Sequence, residues 1–253
     1  MISAVVLTKD EEKNLPDCLE SIKWVDEIII IDDYSSDGTI GIIREIEEIG
    51  EHKGKIKIFK RRLAGDFAAQ RNYGLRKAKG EWVLFVDADE RVSPELAAEI
   101  KKEIKNTKVD GFYFKRQDFF GGRALKYGET ANVRLLRLGR KGKGEWRREV
   151  HEVWEIKGET EELKNPVFHY PHQALNDFIE HINFHSTLHA QALQKEGLKP
   201  SLLRIIFNPK AKFIQNYIFR LGFLDGTPGI IAALMMSFHS FLAQAKLYFL
   251  WKK

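Results

Sequence analysis

The chain has 253 residues, 43% hydrophobic and 30% charged, with ordinary glycine and proline contents and a formal net charge of +5. That composition supports a full hydrophobic core and excludes a disordered chain; the single cysteine, Cys18, excludes an internal disulfide framework and fits a reducing compartment. The charge is uneven: Gly197 to Lys253 holds eight basic residues and one acid, with 10 of the 29 aromatics, while the rest of the chain carries −2.

The opening run SAVVLT (3–8) is continuously apolar and broken at once by charges, which predicts a first strand rather than a secretory leader. EEKNLPDCLESIKW (11–24) follows with helical spacing at Leu15, Leu19 and Ile22, and its apolar surroundings place Cys18 in the core. DEIIIIDD (26–33) predicts a second strand too apolar to be half-exposed, and SSDGTIGIIREIEEIG (35–50) a helix opened by Ser/Asp capping chemistry. KIKIFK (55–60), DFAAQRNYGLRKAKG (66–80), EWVLFV (81–86) and SPELAAEIKKEIKN (93–106) continue the alternation, the last with Ser93 as N-cap and Pro94 at the first helical position. Apolar strands alternating with helices predict an α/β fold with a mostly parallel sheet covered on both faces.

Residues 111–170 change character. GFYFKRQDFF, NVRLLRLG, HEVWEIKG and NPVFHY are strand-like with short loops, predicting a mixed or antiparallel extension of the sheet. From about Ala174 the pattern is helical to the end, a C-terminal helical appendage. Its longest apolar stretch, Gly229 to Phe238, falls short of the ~18 residues of a spanning helix. Basic charge interleaved with bulky aliphatics predicts an anionic membrane surface as partner rather than nucleic acid, and the bland alternative is a helical appendage with a basic outer face. His181, His185 and His189 lie along one helical face, a spacing that would permit zinc but reads first as a polar face.

The chemistry gathers at predicted strand ends. Asp32-Asp33 closes the second strand, and Asp87, Asp89 and Glu90 follow the fourth. Like charges that close repel, so folding gains nothing from them. In open parallel sheets, ligands bind beyond the carboxyl ends of the strands. A D-x-D there can offer carboxylates to one hard divalent cation, whose remaining shell is filled by water and phosphate oxygens. Alone the triplet reads first as an ordinary strand-end turn.

Its context is more specific. EIIIIDDYSSDGT (27–39), followed by DFAAQRNYGLRKAKGEWVLFVDADE (66–90), closely resembles glycosyltransferase family 2, and the resemblance spans roughly residues 1–115. It implies the Rossmann-like GT-A fold, with residues 1–115 as the nucleotide-sugar half, 116–173 as acceptor-side strands and 174–253 as the helical, basic region. It implies that Thr8 lines the base and ribose, that Asp32 holds the nucleoside, that Arg71 meets nucleotide or phosphate, that Asp87 lies near ribose and metal, and that Asp89 binds Mg2+ or Mn2+. The family often has asparagine where this chain has Asp10. VHE (150–152) and YIFRLGFLDGTPG (217–229) resemble bacterial lipopolysaccharide-core enzymes of the β-1,4-glucosyltransferase-like subgroup, and the Q-x-x-R-W signature of processive members is absent.

The resemblance implies inversion at the anomeric carbon, with one sugar moved from a nucleotide-diphosphate sugar, expected to be a UDP-sugar, to a saccharide or glycolipid acceptor. It places the protein in the cytoplasm, peripheral on the inner membrane. A carboxylate must take the acceptor proton; Glu152 is the candidate and Glu149 the reserve. His151 is either a metal ligand, an orienting group or a packed strand residue; if 151–158 is a strand, residues 151 and 152 face opposite ways. Trp82 reads as core, whereas Trp146 and Trp154 are candidates for stacking on acceptor sugar. Three alternatives compete. A sugar-nucleotide pyrophosphorylase lacks support because LTKDEEKNL (7–15) has no glycine. An aspartate-nucleophile phosphatase would follow its triplet with threonine. A membrane-docked nucleotide-sugar-binding module without catalysis would not need the full set of acids.

Overall fold

The computed structural model describes residues 1–48, 50–105, 108–171 and 174–252. Along the chain run β1 (Ile2–Thr8), α1 (Leu15–Ile22), β2 (Glu27–Asp32), α2 (Thr39–Glu48), β3 (Ile56–Lys60), α3 (Phe67–Lys77), β4 (Trp82–Asp87), β5 (Glu90–Val92), α4 (Pro94–Glu103), β6 (Gly111–Phe120), β7 (Arg123–Ala124), β8 (Arg134–Arg140), β9 (Gly144–Arg147), β10 (Val153–Ile156), β11 (Thr160–Glu162), β12 (Val167–His169), α5 (Leu175–Lys195), α6 (Leu202–Ile214) and α7 (Gly226–Leu250). The chain forms two compact units: Met1–Arg116 with Arg134–His169, and Gln117–Val133 with Tyr170–Lys253.

The first unit is built on a sheet ordered β3-β2-β1-β4-β8-β6-β12-β5. β3, β2, β1 and β4 are parallel, and β8 joins β4, and β6 joins β8, antiparallel. The expected α/β architecture with a mixed extension is therefore what forms. Successive side chains of a strand face opposite ways, and here both faces are dry. Ala4 and Val6, Ile28 and Ile30, and Leu84 and Val86 pack with α1, α2 and α4, while Val5, Ile29, Ile31, Val83 and Phe85 pack with α3 and with Trp146 and Trp154. Gly74 lets α3 come close, since a Cβ there would lie 2.4 Å from Val5 Cγ1.

Three local expectations are corrected. Residues 151 and 152 precede β10 instead of opening it: Arg148 and His151 take left-handed backbone (φ 72° and 56°), so the alternation of a strand does not apply to them. β9, unseen in the sequence, pairs antiparallel with β10 in a separate ribbon. Trp146 and Trp154 face each other across that ribbon, stacked at 5.5 Å and buried against Phe85, so they are core rather than sugar platforms.

In the second unit α5, α6 and α7 pack together, α7 against both others. The helical pattern expected from about Ala174 to the end is interrupted after Ile214 by a π turn (Gln215–Phe219), a left-handed Leu221 and a 3-10 turn (Gly222–Asp225). The apolar helical segment is longer than the Gly229–Phe238 run suggested: Gly222–Leu250 is, by length and composition, long and apolar enough to cross a membrane. On α5, His181 and His185 meet Nε2 to Nε2 at 3.0 Å and His189 stacks on His239 of α7; no group of three metal-ligating side chains occurs among the described residues.

Candidate active site

Register brings the strand-end residues together. Thr8 pairs with Asp32 and Leu7 with Asp87, so Thr8, Asp32 and Asp87 lie at the carboxyl edge of β2, β1 and β4, Thr8 and Asp32 on one face of the sheet and Asp87 on the other, toward α3. Strands in a sheet run about 4.8 Å apart, which sets their spacing without any loop being required. Thr8 Oγ1 is buried with no hydrogen-bond partner among the described residues. Asp32 is fully buried and accepts from Ser35 N (3.1 Å) and Ser35 Oγ (2.5 Å).

The loops after β1 and β2 are laced to each other. Asp10 Oδ1 accepts from Ser36 N at 2.6 Å, Glu12 Oε2 from Gly38 N at 2.8 Å, Asp37 Oδ2 from Glu12 N at 3.1 Å, and Thr39 Oγ1 from Glu11 N at 2.8 Å. Asp10 sits at φ 54°, a conformation that asparagine and aspartate tolerate best among non-glycine residues. That accounts for Asp10 where the family often has asparagine: either supplies the same oxygen from the same backbone. Glu11, beside this lacing, is mostly buried. Burial pushes its carboxyl up to about 7, helped by Asp89 and opposed by the hydrogen bond from Asn14 Nδ2.

A raised acid pKa means that the folded chain binds more protons than the unfolded one between pH 4.5 and 7, so stability falls as pH rises through that window. Glu11→Gln should therefore be more stable than the natural chain by about 2 kcal/mol at pH 8, the difference vanishing by about pH 4. Urea unfolding of both proteins across that range checks it. A difference independent of pH would mean that Glu11 titrates normally.

The D-x-D turn is organised by cations. Asp87 Oδ1 accepts from Arg71 Nη2 (2.8 Å) and Arg137 Nη1 (3.4 Å), and Oδ2 from Arg137 Nη2 (2.8 Å). Burial alone would raise the Asp87 carboxyl, but Arg137 and Arg71 outweigh it and hold it far below the usual range. Glu90 is buried; burial and the Asp87 charge push its carboxyl up, and its Oε2 accepts from Asp87 N at 3.0 Å. Arg91 donates to the Ala88 carbonyl (3.1 Å) and reaches Asp17 of α1 (3.5 Å), bracing the turn from outside. Beneath it lies the Cys18 thiol, fully buried, 3.5 Å from the Asp87 carbonyl and with its pKa pushed up by burial.

Arg71 is the hub. Its guanidinium is 3% exposed; Nη2 binds Asp87, Nε donates to Glu152 Oε1 at 2.8 Å, and Nη1 is buried without a partner among the described residues. Trp146 lies under it at 4.9 Å and under Arg137 at 5.6 Å. Burial opposes the Arg71 charge, but Asp87 and Glu152 more than restore it. The neighbours of Arg71 in QRN fix the frame: Gln70 exchanges hydrogen bonds with Arg61, and Asn72 with the backbone of Trp146 at 2.8 and 2.9 Å. The segment bearing Glu152 is thus tied to α3, also through Phe67 N donating to the Glu149 carbonyl (3.0 Å). Glu152 is 15% exposed, whereas the Glu149 side chain is out in solvent.

Asp89 Oδ2 lies 3.2 Å from His169 Nε2. Burial would raise the Asp89 carboxyl; His169, with the charge of Arg116, brings it below the usual value. The antiparallel pair β5–β12 makes this meeting, with Glu90 opposite His169. The imidazole beside Asp89 is therefore that of His169, while His151 is exposed in its left-handed turn. Arg137, His169 and Glu11 were not singled out from sequence. Only Arg137 left a trace there, as a charge set between leucines in NVRLLRLG.

A divalent cation needs only one or two protein ligands when phosphate and water complete its shell. Asp89 and His169, two donors 3.2 Å apart, fit such an ion; the oxygens of Asp87 are already engaged by guanidinium groups.

The Glycosyl transferase family 2 model matches residues 3–178. The chain is 28% identical over 253 residues to the lipopolysaccharide core biosynthesis glycosyltransferase LpsC of Rhizobium meliloti, covering 98% of this chain and 92% of LpsC. It is 25% identical over 260 residues to the glycosyltransferase RT0209 of Rickettsia typhi, covering 97% and 86%. Two solved structures share the fold. They are S. aureus TarS 1–349 in complex with UDP-GlcNAc (TM-score 0.53, 16% identity, 99% of this chain and 91% of that one) and the mannosyltransferase PcManGT of Pyrobaculum calidifontis in complex with GDP-Man and Mn2+ (0.58, 14%, 100% and 87%).

Proposed function

This chain belongs to glycosyl transferase family 2, and from that premise we propose that it is an inverting, metal-dependent enzyme. It moves one sugar from a nucleotide-diphosphate sugar to a saccharide or glycolipid acceptor of the lipopolysaccharide-core type. The observation that carries this reading is the single cluster in which Arg71 bridges the D-x-D aspartate Asp87 to Glu152, with Asp89 and His169 alongside. TarS and PcManGT, in their complexes, hold UDP-GlcNAc and GDP-Man, which supports a nucleoside-diphosphate sugar as donor, with a UDP-sugar expected. LpsC, named for lipopolysaccharide core biosynthesis, supports the acceptor class.

The roles follow from position. Thr8 and Asp32, at neighbouring strand ends, receive the nucleoside: Thr8 has an uncommitted hydroxyl, and Asp32 is held rigid by Ser35. Asp87 works through Arg71 and Arg137, keeping two cations in a fixed place at the diphosphate end. Asp89 and His169 hold the ion, and a nitrogen ligand favours Mn2+ over Mg2+. When bound, the ion supplies neutralising charge for the departing diphosphate. Glu152 takes the proton from the acceptor hydroxyl: one of its oxygens is pinned by Arg71, leaving the other to accept. Residues 1–115 supply most of the donor side, completed by Arg137 and His169, and the rest of 116–173 forms the acceptor side. Because nucleotide-sugars are cytoplasmic metabolites and the acceptor is lipid-linked, the enzyme works in the cytoplasm at the inner membrane.

The test is nucleoside diphosphate release from a panel of UDP- and GDP-sugars by the purified chain, with and without Mn2+. At least one donor should be turned over, in a Mn2+-dependent way. No turnover of any donor, with donor binding intact, would leave a binding module instead. Within the active pair, Glu152→Gln should keep donor binding and slow transfer by about 10²-fold or more; a near-normal rate would move the proton acceptor elsewhere.

A further inference from the structure

We infer that the α6–α7 hairpin is a docking surface for an anionic lipid bilayer, lying in its plane rather than crossing it. The inference rests on the glycolipid-acceptor reading for its purpose, but its argument is independent. α6 buries none of its residues, although it is rich in large apolar side chains. Leu203 is 66% exposed, Phe207 57%, Phe219 78% and Phe249 64%. Apolar surface of this extent, left open and flanked by polar groups, marks an interaction site.

The hairpin turn concentrates it. A Cβ on Gly222 would come within 2.6 Å of the Asn216 carbonyl, and one on Gly229 closer still to the Gly222 carbonyl. Only glycine permits so close a reversal, and it leaves Phe219, Leu221, Phe223 and Leu224 outward at the tip. The motif YIFRLGFLDGTPG thereby acquires a structural purpose.

Charge selects the occupant. Of the nine charged residues from Gly197 to Lys253, Asp225 is the one acid, and it is turned inward, accepting from the backbone N–H groups of Lys126 (3.0 Å) and Tyr127 (2.9 Å). Lys212 is paired with Glu129 at 2.6 Å and Lys246 is turned to α5, and the charge left outward among the described residues is basic. Lys252 Nζ sits 4.7 Å from the Tyr248 ring and Lys210 Nζ 6.0 Å from that of Phe207, each cation lying beside an aromatic group as side chains at a headgroup layer do.

α7 has the length to span, but its neighbours forbid it. Lys246 Nζ lies within 2.8 Å of four oxygens of α5 (the Asn183 carbonyl, Asn183 Oδ1, Ser186 Oγ and Thr187 Oγ1), to which its three N–H groups donate, and Gln194 Nε2 donates to the Leu250 carbonyl. A spanning α7 would carry α5, with Asp177, Glu180 and its histidines, into hydrocarbon. α6 likewise holds Asn208, Lys210 and Lys212 about its Pro209.

Flotation of the full chain with vesicles of phosphatidylcholine, alone or with ~30% phosphatidylglycerol, tests this. Binding should require the anionic lipid, weaken with salt, and fall about tenfold or more in Leu203→Ser/Phe207→Ser/Phe219→Ser and in Lys210→Glu/Lys252→Glu. Nucleoside diphosphate release in the absence of vesicles should be unchanged in both variants. That second readout separates the two proposals: loss of release with vesicle binding intact would sink only the catalytic reading. Equal binding by natural and variant chains would overturn the docking surface. So would a dimer in solution that these substitutions dissociate without any vesicle binding. Resistance of the bound protein to alkaline carbonate extraction would overturn the in-plane arrangement.

Discussion

Asp89→Asn should reduce metal-stimulated transfer by about 10³-fold or more while the fold persists. The amide keeps the size of the carboxylate and a hydrogen bond to His169, so the turn need not move. What disappears is the one D-x-D carboxylate not saturated by arginine, since Asp87 is engaged on both oxygens. His169 alone is a poor site for a hard cation, and Mn2+ affinity measured by electron paramagnetic resonance in the presence of UDP should drop at least about tenfold. Melting temperature should change little. Undiminished Mn2+ binding in this variant would place the ion elsewhere and remove the basis of the D-x-D reading.

Arg71→Met should be the most destabilising single change at the site, by about 3–5 kcal/mol. Methionine fills the space over Trp146 but leaves the largely buried Glu152 without its cation and Asp87 with Arg137 alone. At roughly 2–4 °C per kcal/mol for a domain of this size, melting should fall by about 10 °C. Arg71→Lys should recover part of the stability but little activity. An ammonium restores charge, yet it cannot present the planar fork that meets two carboxylates from two elements at once. A purely structural Arg71 would instead give a lysine variant that regains activity in step with stability. A loss below about 1 kcal/mol in the methionine variant would show that the cluster is solvated in solution.

The parallel half of the fold was legible because its signals are local. Four isoleucines in β2 and the run from Val83 to Val86 admit few readings besides buried strands, and the acids that follow them fall at strand ends by necessity. Asp32, Asp87 and Thr8 could be placed at one edge of the sheet from that alone. His169 could not. It reaches Asp89 through an antiparallel pairing of two three-residue strands, β5 and β12, far apart in sequence and too short to leave a periodic trace. His151 drew attention through its neighbour Glu152, but a left-handed residue closes the turn before β10, and no hydrophobic pattern records that. The tryptophans misled for a related reason: β9 is four residues long, and only its pairing with β10 brings Trp146 against Trp154. Arg71, Asp87 and Glu152 were each visible as site residues, but not that Arg71 bridges the other two, because one lies on β4 and the other beyond β9.

The lone thiol under the D-x-D turn gives the protein an internal tamper seal. Cys18 is sealed by α1 and the same strand end that carries Asp87, so a thiol reagent can reach it only when that corner of the sheet comes apart. Its rate of labelling consequently measures how often that corner opens, and any ligand that fastens it shut will slow that chemistry in proportion to its grip.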